Sequence, residues 1–257
     1  MKFEMTTATD KGRRAYQEDR SVVYWVPDEG YLLATFDGHG GSECADYCAA
    51  NLIAIYHSVR DTILVANFEN IMRQIFAVLN YKTENMGPGC AASMAFIPED
   101  GGEVIIGVLG DAPVLVKQVD GELWLAPEHN VRTNREEASA AVKRGGFVQS
   151  GYLFVRQSIS AAGLQMSRAL GDRFLGTVLN REPEIFRLPL GPKSWVLVGT
   201  DGLFDPSHAT NPSTTIAAAI DAGHDANQLV QNALAVPTHD NVTAILVKLS
   251  EGENELP

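Results

Sequence analysis

The chain has 257 residues, of which 45% are hydrophobic and 20% are charged, and its formal net charge is −12 at pH 7. A chain of this length and apolar content can bury a large core, so we expect a single domain over residues 1–257. The acidic balance, with no cluster of lysine and arginine, argues against nucleic acid as a partner, and no stretch reaches the ~20 apolar residues of a membrane-spanning helix.

The first predicted elements are two strands joined by a tight turn. Arg20–Val26 and Tyr31–Phe36 are short runs rich in apolar and aromatic residues, and the segment between them has the composition of a turn. Glu18 and Asp19 precede the first run, and Asp37 follows the second. A hairpin folded at this turn therefore brings the three carboxylates to one end of the pair.

Helices are predicted where apolar residues recur at helical spacing and where capping residues mark the ends. The segments are Ser42–His57, Phe68–Tyr81 behind an Asn67 cap, Arg135–Arg144 behind Asn134, a helix from Asn211-Pro212 to Gly223, and Asp225–Ala235. These helices interrupt groups of strands and do not alternate with them one for one. The pattern favours antiparallel sheets with helices on their outer faces, which is the α+β class.

The chain has three cysteines, and such a small, odd number does not indicate a disulfide framework. Cys44 and Cys48 lie one helical turn apart, and we interpret them as small buried side chains in a reducing cytosol, because no second pair of ligands suggests zinc or redox chemistry. Residues 1–6 lack the apolar core of a signal peptide. We therefore expect a cytoplasmic protein, and a monomer as the default for one compact acidic domain.

Three later apolar runs also carry an aspartate at one end. They are Val104–Gly110 before Asp111, Trp195–Thr200 before Asp201, and Val242–Val247 after Asp240. If the last strand is antiparallel to the others, these aspartates meet Glu18, Asp19 and Asp37 at one sheet edge. A single aspartate after a strand is more often a turn residue, but six carboxylates at one edge predict a divalent-metal site.

Ligands that are all oxygen favour Mg²⁺ or Mn²⁺ over zinc. One shared carboxylate can bridge two such ions, and the pair can activate water for attack on a phosphate ester. Asp37 is the best candidate for the bridge, because Gly38, Gly40 and Gly41 let the backbone and its carbonyl groups approach a metal.

Two further side chains near these carboxylates suit phosphate chemistry. His39, within the glycine segment, could protonate a leaving oxygen, although a loop or capping histidine is the ordinary alternative. Arg14 could present its guanidinium to a phosphate, although an isolated arginine beside Arg13 is more often a surface residue.

Six segments together carry a family resemblance. In chain order they are Gly12-Arg13-Arg14 with Gln17-Glu18-Asp19, Phe36–Gly41 (Phe-Asp-Gly-His-Gly-Gly), Gly110-Asp111, Ser167–Asp172 (Ser-Arg-Ala-Leu-Gly-Asp), Thr200–Asp205 (Thr-Asp-Gly-Leu-Phe-Asp), and Asp240–Thr243 (Asp-Asn-Val-Thr). Over roughly Thr6–Leu249 the chain resembles the PP2C-type, metal-dependent protein serine/threonine phosphatases (the PPM family).

The resemblance implies a central β-sandwich of two antiparallel sheets with helices on both outer faces. It also implies two Mn²⁺ or Mg²⁺ ions and a weaker third. By position it assigns Asp37 as the bridging ligand, Gly38 as a carbonyl ligand, Asp201 and Asp240 as ligands of the other ion, Glu18 and Asp19 as groups that hold metal-bound waters, Arg14 as the phosphate ligand, His39 as the general acid, and Asp111, Asp201 and Asp205 as the carboxylates around the third ion. In this scheme Asp19 also orients the nucleophile.

Some positions depart from the family pattern. Ala112-Pro113 stands where Ser-Arg is common, which bears on the third ion, and Gly89–Ala92 replaces a Gly-Ser-Thr-Ala type of sequence. Residues 128–165 correspond to a variable flap beside the active site. Ser167–Asp172 is interpreted as architecture, with Asp172 paired to Arg168 or capping a helix.

The expected function is hydrolysis of phosphoserine and phosphothreonine in proteins by metal-activated water, with phosphorylated proteins as partners. Two alternatives stay open. One is a catalytically silent binding module, although no ligand position has been lost. The other is a phosphatase of a small phosphorylated metabolite, because the catalytic residues contact the phosphate and not the leaving group.

Overall fold

The computed structural model describes residues 1–63, 67–155, 162–205, 211–236 and 238–252. The strands in these ranges are β1 (Lys2–Asp10), β2 (Arg20–Val26), β3 (Gly30–His39), β4 (Gly89–Pro98), β5 (Glu103–Leu109), β6 (Val114–Lys117), β7 (Leu123–Leu125), β8 (Phe147–Gln149), β9 (Tyr152–Phe154), β10 (Leu170–Gly171), β11 (Glu184–Pro189), β12 (Trp195–Gly199) and β13 (Val242–Ser250). The helices are α1 (Glu43–Arg60), α2 (Phe68–Thr83), α3 (Arg135–Lys143), α4 (Pro212–Asp221) and α5 (Ala226–Ala235). None of these helices is long and apolar enough to cross a membrane.

Two antiparallel sheets form the centre of the fold. One has the strand order β1-β13-β12-β6-β7, and the other has the order β11-β5-β4-β3-β2, with β10 paired to β4. In the second sheet β2 and β3 form the predicted hairpin, with Arg20 opposite Phe36 and Val26 opposite Gly30. In the first sheet β13 runs antiparallel to both β1 and β12, as the edge argument requires.

The core has three apolar layers because side chains alternate between the two faces of each strand. Leu33 of β3 and Val198 of β12 lie in the cluster between the two sheets. Their chain neighbours point the other way: Leu32 packs with α1 and α2 on one outer face, and Leu197 packs with α4 and α5 on the other. The predicted sandwich with helices on both outer faces is confirmed.

The helix start signals are confirmed in detail. The side chain of Asn67 accepts a hydrogen bond from the backbone of Asn70, and Asn134 and Asn211 cap α3 and α4 in the same way. Asp225 forms a capping box with Gln228 at the start of α5. These caps satisfy backbone N–H groups that the first turn of a helix leaves without partners.

The end of β3 differs from the prediction. The strand does not stop at Asp37 but continues to His39, because Asp37, Gly38 and His39 pair with residues 91, 90 and 89 of β4. The apolar run that predicted the strand stops at Phe36, but the hydrogen-bonded pairing of β3 with β4 continues through the polar and glycine residues that follow. His39 is therefore held by a sheet and does not lie in a free glycine loop, which begins at Gly40.

The region expected to form the flap, residues 128–165, contains α3 and the two-stranded sheet β8-β9. Residues 156–161 of this region lie outside the described residues. The region is attached to the sandwich by Leu153 and Leu164, which pair with each other and pack in a fourth apolar cluster with Ala91 of β4.

Candidate active site

The acidic residues predicted to meet do meet at one end of the sandwich. Asp37 lies near the end of β3, Asp111 follows β5, and Asp201 follows β12, while Asp240 precedes β13. Asp111, Asp201, Asp205 and Asp240 line one open cavity of about 650 Å³. The backbone N–H of Asp201 donates to the carboxylate of Asp37 over 3.3 Å, which joins the ends of the two sheets.

The carboxylates raise one another's pKa. Burial raises the pKa of Asp37 well above its ordinary value, and the negative charges of Asp201, Asp19, Asp111 and Asp240 add to the rise. The pKa of Asp201 is raised for the same reasons, burial first and then the neighbouring carboxylates. The side chain of Asp201 opens onto the cavity, so water in the cavity moderates this rise. The cluster is thus a concentration of negative charge that favours either protons or cations.

Asp19 is the buried member of the group, with 4% of its surface exposed. Its Oδ2 accepts hydrogen bonds of 2.8 Å from the hydroxyl groups of both Thr200 and Thr243. Burial nevertheless raises the pKa of Asp19 to about 6, with a further contribution from the charge of Asp240. The two hydroxyl groups fix the orientation of this carboxylate between β12 and β13.

Glu18 connects the start of β2 to the glycine segment. Its backbone N–H donates to the side chain of Asn241 over 2.8 Å, and its Oε1 accepts the backbone N–H of Gly41 over 2.7 Å. The backbone approaches so closely here that a Cβ atom on Gly38 would lie 2.5 Å from the carbonyl oxygen of Glu18. Only glycine fits at position 38, next to the proposed bridging residue.

Arg14 reaches the same edge from the segment before β2. Its Nη2 donates to Asp240 over 2.6 Å and its Nε donates to the carbonyl oxygen of His239 over 2.6 Å, while about half of the side chain, 47%, stays exposed. Asp240 lines the cavity, so this pair places Arg14 beside it. The structure also pairs the guanidinium with a carboxylate, which the sequence did not suggest.

The imidazole of His39 is held by Asp172. His39 Nε2 donates to Asp172 Oδ2 over 2.7 Å, and His39 Nδ1 is buried without a hydrogen-bond partner among the described residues. Burial lowers the pKa of His39, but the hydrogen bond and charge of Asp172 outweigh it, so that the net pKa is raised. The interpretation of Asp172 as a partner of Arg168 or as a helix cap is wrong, because its side chain is turned to His39 and makes no capping hydrogen bond.

Gly89 makes this histidine–aspartate pair possible. A Cβ atom at position 89 would lie 2.0 Å from Asp172 Oδ2 and 2.6 Å from His39 Nε2. Arg168 contacts Glu137 and Glu184 instead, in a separate network behind the site. His39 and Asp172 each lie in one of the six segments that carry the family resemblance. They are 133 positions apart, and no local sequence pattern indicates that they form a pair.

Asp111, one of the carboxylates expected around a third ion, is joined to the flap region. Asp111 accepts a hydrogen bond of 2.9 Å from Asn130, which comes from the flap region. The unusual Ala112-Pro113 pair is used structurally, because the Ala112 carbonyl oxygen accepts from Ser93 over 2.5 Å and that of Pro113 accepts from the backbone of Gly199 over 3.0 Å.

The donor set fits divalent cations with oxygen ligands. Burial raises the pKa of Asp19, Asp37, Asp111 and Asp201, which disfavours their charged forms unless a cation is present. The sequence analysis did not identify the neutral residues that form hydrogen bonds with these acidic residues, namely Thr200, Thr243, Asn130 and Asn241. Thr200, Asn241 and Thr243 lie in the segments that carry the family resemblance, whereas Asn130 does not.

Comparisons with known proteins agree with this fold and identify a family. The family profile described as protein phosphatase 2C matches residues 9–242. The chain is 26% identical over 258 residues to probable protein phosphatase 2C 11 of Arabidopsis thaliana, covering 96% of this chain and 67% of the relative.

Solved structures show the same fold. The structure of a C. elegans sex determining protein matches with a TM-score of 0.80 and 26% identity, over 96% of this chain and 64% of that one. The catalytic domain of the serine threonine protein phosphatase PstP, in complex with two manganese ions, matches with a TM-score of 0.63 and 22% identity, over 97% and 99% of the two chains. The chain thus spans about two thirds of the Arabidopsis and C. elegans proteins and nearly all of the PstP domain.

Proposed function

The chain belongs to the protein phosphatase 2C family, and on that premise we propose that its carboxylate cluster holds two divalent cations, Mn²⁺ or Mg²⁺, for the hydrolysis of phosphoserine and phosphothreonine in proteins. Family membership makes the protein a metal-dependent protein serine/threonine phosphatase. The observation that carries the assignment of residues is the convergence of Asp37, Asp201 and Asp240, which lie at or beside the ends of three separate strands and close enough for the charges of Asp201 and Asp240 to act on Asp37.

The ligands proposed for the cations follow from position. Asp37 would bridge both ions, with the Gly38 carbonyl on one of them and with Asp201 and Asp240 on the other. Glu18 and Asp19 would contact the ions through water, and Asp111 and Asp205 would hold a weaker third ion with Asp201. When bound, the cations supply charge neutralisation for the phosphate and lower the pKa of water, so that hydroxide can attack phosphorus at neutral pH.

The remaining steps use the chain's own side chains. Arg14 binds the phosphate oxygens with the exposed part of its guanidinium, while its Nη2 and Nε stay bonded to Asp240 and to the carbonyl oxygen of His239. Asp19, fixed by its two threonine hydroxyl groups, orients the attacking water. His39 protonates the departing serine or threonine oxygen. Because Asp172 holds His39 Nε2–H, we assign the proton for that step to Nδ1, which is buried in the free protein and has to be uncovered for the transfer.

We extend the proposal to the setting of the enzyme. Phosphorylated proteins are the proposed substrates, and a cytoplasmic monomer is the proposed form. The free, buried state of all three cysteines supports a reducing compartment.

The test is phosphatase activity on a phosphothreonine peptide and on an aryl phosphate, after EDTA treatment and after Mn²⁺ or Mg²⁺ is restored. We expect activity to require the cation and to be lost in Asp201→Asn, with unchanged folding by circular dichroism. Full activity in Asp201→Asn would refute the ligand assignment. A folded protein that binds the cation but hydrolyses neither substrate would be a binding module, and an overwhelming preference for sugar phosphates would replace the protein substrate with a metabolite.

A further inference from the structure

The three cysteines of the chain form one buried cluster that the catalytic scheme does not use. Cys44 and Cys48 lie one turn apart on α1, and Cys90 lies on β4, beneath the first turn of that helix. All three side chains are fully buried, and their sulfur atoms lie within 4.8 Å of one another. The Cys44 and Cys90 sulfurs are 3.5 Å apart. The sequence placed only Cys44 and Cys48 near each other, one helical turn apart. Only the tertiary structure shows that Cys90 lies beside them.

The spacing of the sulfurs suits a metal ion. Thiolate ligands bind Zn²⁺ at about 2.3 Å, so three sulfurs placed evenly around such an ion are separated by about 4.0 Å. The cluster is close to this requirement, since the Cys44 and Cys90 sulfurs are 3.5 Å apart and no two of the three sulfurs are more than 4.8 Å apart. Soft sulfur donors select Cu⁺ and Zn²⁺ over the Mg²⁺ and Mn²⁺ that suit carboxylates.

The surroundings favour negative charge on one of the three sulfurs, that of Cys44. The hydrogen bonds to Cys44, together with burial, raise the pKa of the Cys48 and Cys90 thiols, so a bound cation has to displace their protons. Cys44 is the second residue of α1, where the helix N-terminus stabilises anions, and hydrogen bonds from Cys48 and Cys90 lower the pKa of its thiol to about 4. The charge of Cys44 also interacts with His39 and with the partly buried guanidinium of Arg181. Asp172 accepts a hydrogen bond from His39, and its negative charge also acts on Arg181.

We propose that Cys44, Cys48 and Cys90 form a second metal site, separate from the carboxylate cluster, which binds one closed-shell thiophilic cation of the Cu⁺ or Zn²⁺ class. Each coordinating thiol releases its proton to solvent as the sulfur–metal bond forms, and no oxidation takes place. The site joins the first turn of α1 to β4, directly behind the strand pairing of Gly38 with Cys90. Occupancy therefore stiffens the support of the catalytic edge.

Cd²⁺ is the probe of choice, because its bonds to thiolate absorb in the near ultraviolet whereas its bonds to carboxylate do not. The reduced full chain, with three thiols confirmed by titration after denaturation, is incubated with Cd²⁺ until the spectrum is constant. We expect a thiolate band that saturates at one ion per chain with the intensity of three sulfur ligands, and a higher melting temperature.

Two cysteine variants and one control define the site. Cys90→Ala and Cys48→Ala should each remove at least one third of the intensity of the thiolate band. Each should also weaken Cd²⁺ binding by more than ~10–100-fold, which is the loss expected when a residue that only contacts a metal ligand is replaced. Two variants are used because either one alone could fail to fold. Asp201→Asn, which alters the carboxylate cluster, should keep the full thiolate band.

Competition then distinguishes the natural candidates: Cu⁺ or Zn²⁺ should displace Cd²⁺ and abolish the band, and the ion that does so at the lower free concentration is the better occupant. The proposal is overturned if reduced protein shows no thiolate band, or if the band survives unchanged in both cysteine variants. It is also overturned if Asp201→Asn removes the band, since the ion would then belong to the carboxylate cluster.

Discussion

The metal-free protein should lose stability as the pH rises, and Asp19 allows the size of this effect to be worked out. Its pKa is about 6 in the folded chain against an ordinary value of 3.8, with burial as the main cause. Because the folded-state pKa is the higher one, the stabilising contribution is fully present below pH 3.8 and is lost as the pH rises through about 6. A shift of about 2 units corresponds to ~3 kcal/mol in total, of which about 2 kcal/mol falls between pH 4.5 and 7.5.

Asp19→Asn isolates this contribution, because the amide does not titrate and its oxygen can still accept from Thr200 and Thr243. Urea unfolding of EDTA-treated protein at pH 4.5 and 7.5 should show that the wild type loses about 2 kcal/mol more than the variant. The control is Asp28→Asn in the exposed β2-β3 turn, whose positive φ of 62° asparagine tolerates. Equal pH dependence in the wild type and in Asp19→Asn would refute the reasoning.

Three further predictions concern the catalytic edge. His39→Ala should slow phosphothreonine peptide hydrolysis by ~10²-fold or more and aryl phosphate hydrolysis far less, because only the alkoxide needs an acid; Asp172→Asn should show a smaller loss with the same pattern. Gly89→Ala should cost about 1–3 kcal/mol in urea unfolding, because its Cβ would overlap the Asp172 carboxylate. Arg14→Ala should raise KM for phosphopeptide by ~10-fold, the value of a charge-assisted contact.

Each of these predictions has a matched control. Asp172→Asn should cause no further loss in the His39→Ala background, and equal losses on both substrates would point to a structural effect. Gly87→Ala, where no atom lies within 4 Å of the added carbon, should leave stability unchanged. Arg13→Ala removes the exposed neighbour of Arg14, and an equal rise in KM would indicate general electrostatics instead of a specific contact.

The parts of the site that could be predicted from sequence are those with a local signal. An apolar run that ends in aspartate identifies both a strand and the residue at its rim, and the turn between β2 and β3 sets the register that brings Asp19 towards Asp37. Capping residues such as Asn67 identify helix starts for the same reason, since the hydrogen bond joins positions three residues apart.

What the sequence alone determined, then, is the set of strands that border the acidic residues, the edge at which those residues gather and, through the family resemblance, the sandwich. Only the tertiary structure decided that Asp172 holds His39, that Arg14 meets Asp240, and that Cys90 completes a cluster with the cysteines of α1. These contacts join side chains that lie 42 or more positions apart. Which side chains meet over such separations depends on how whole sheets and helices pack. This packing produces no periodic pattern in the sequence from which the contacts could be predicted.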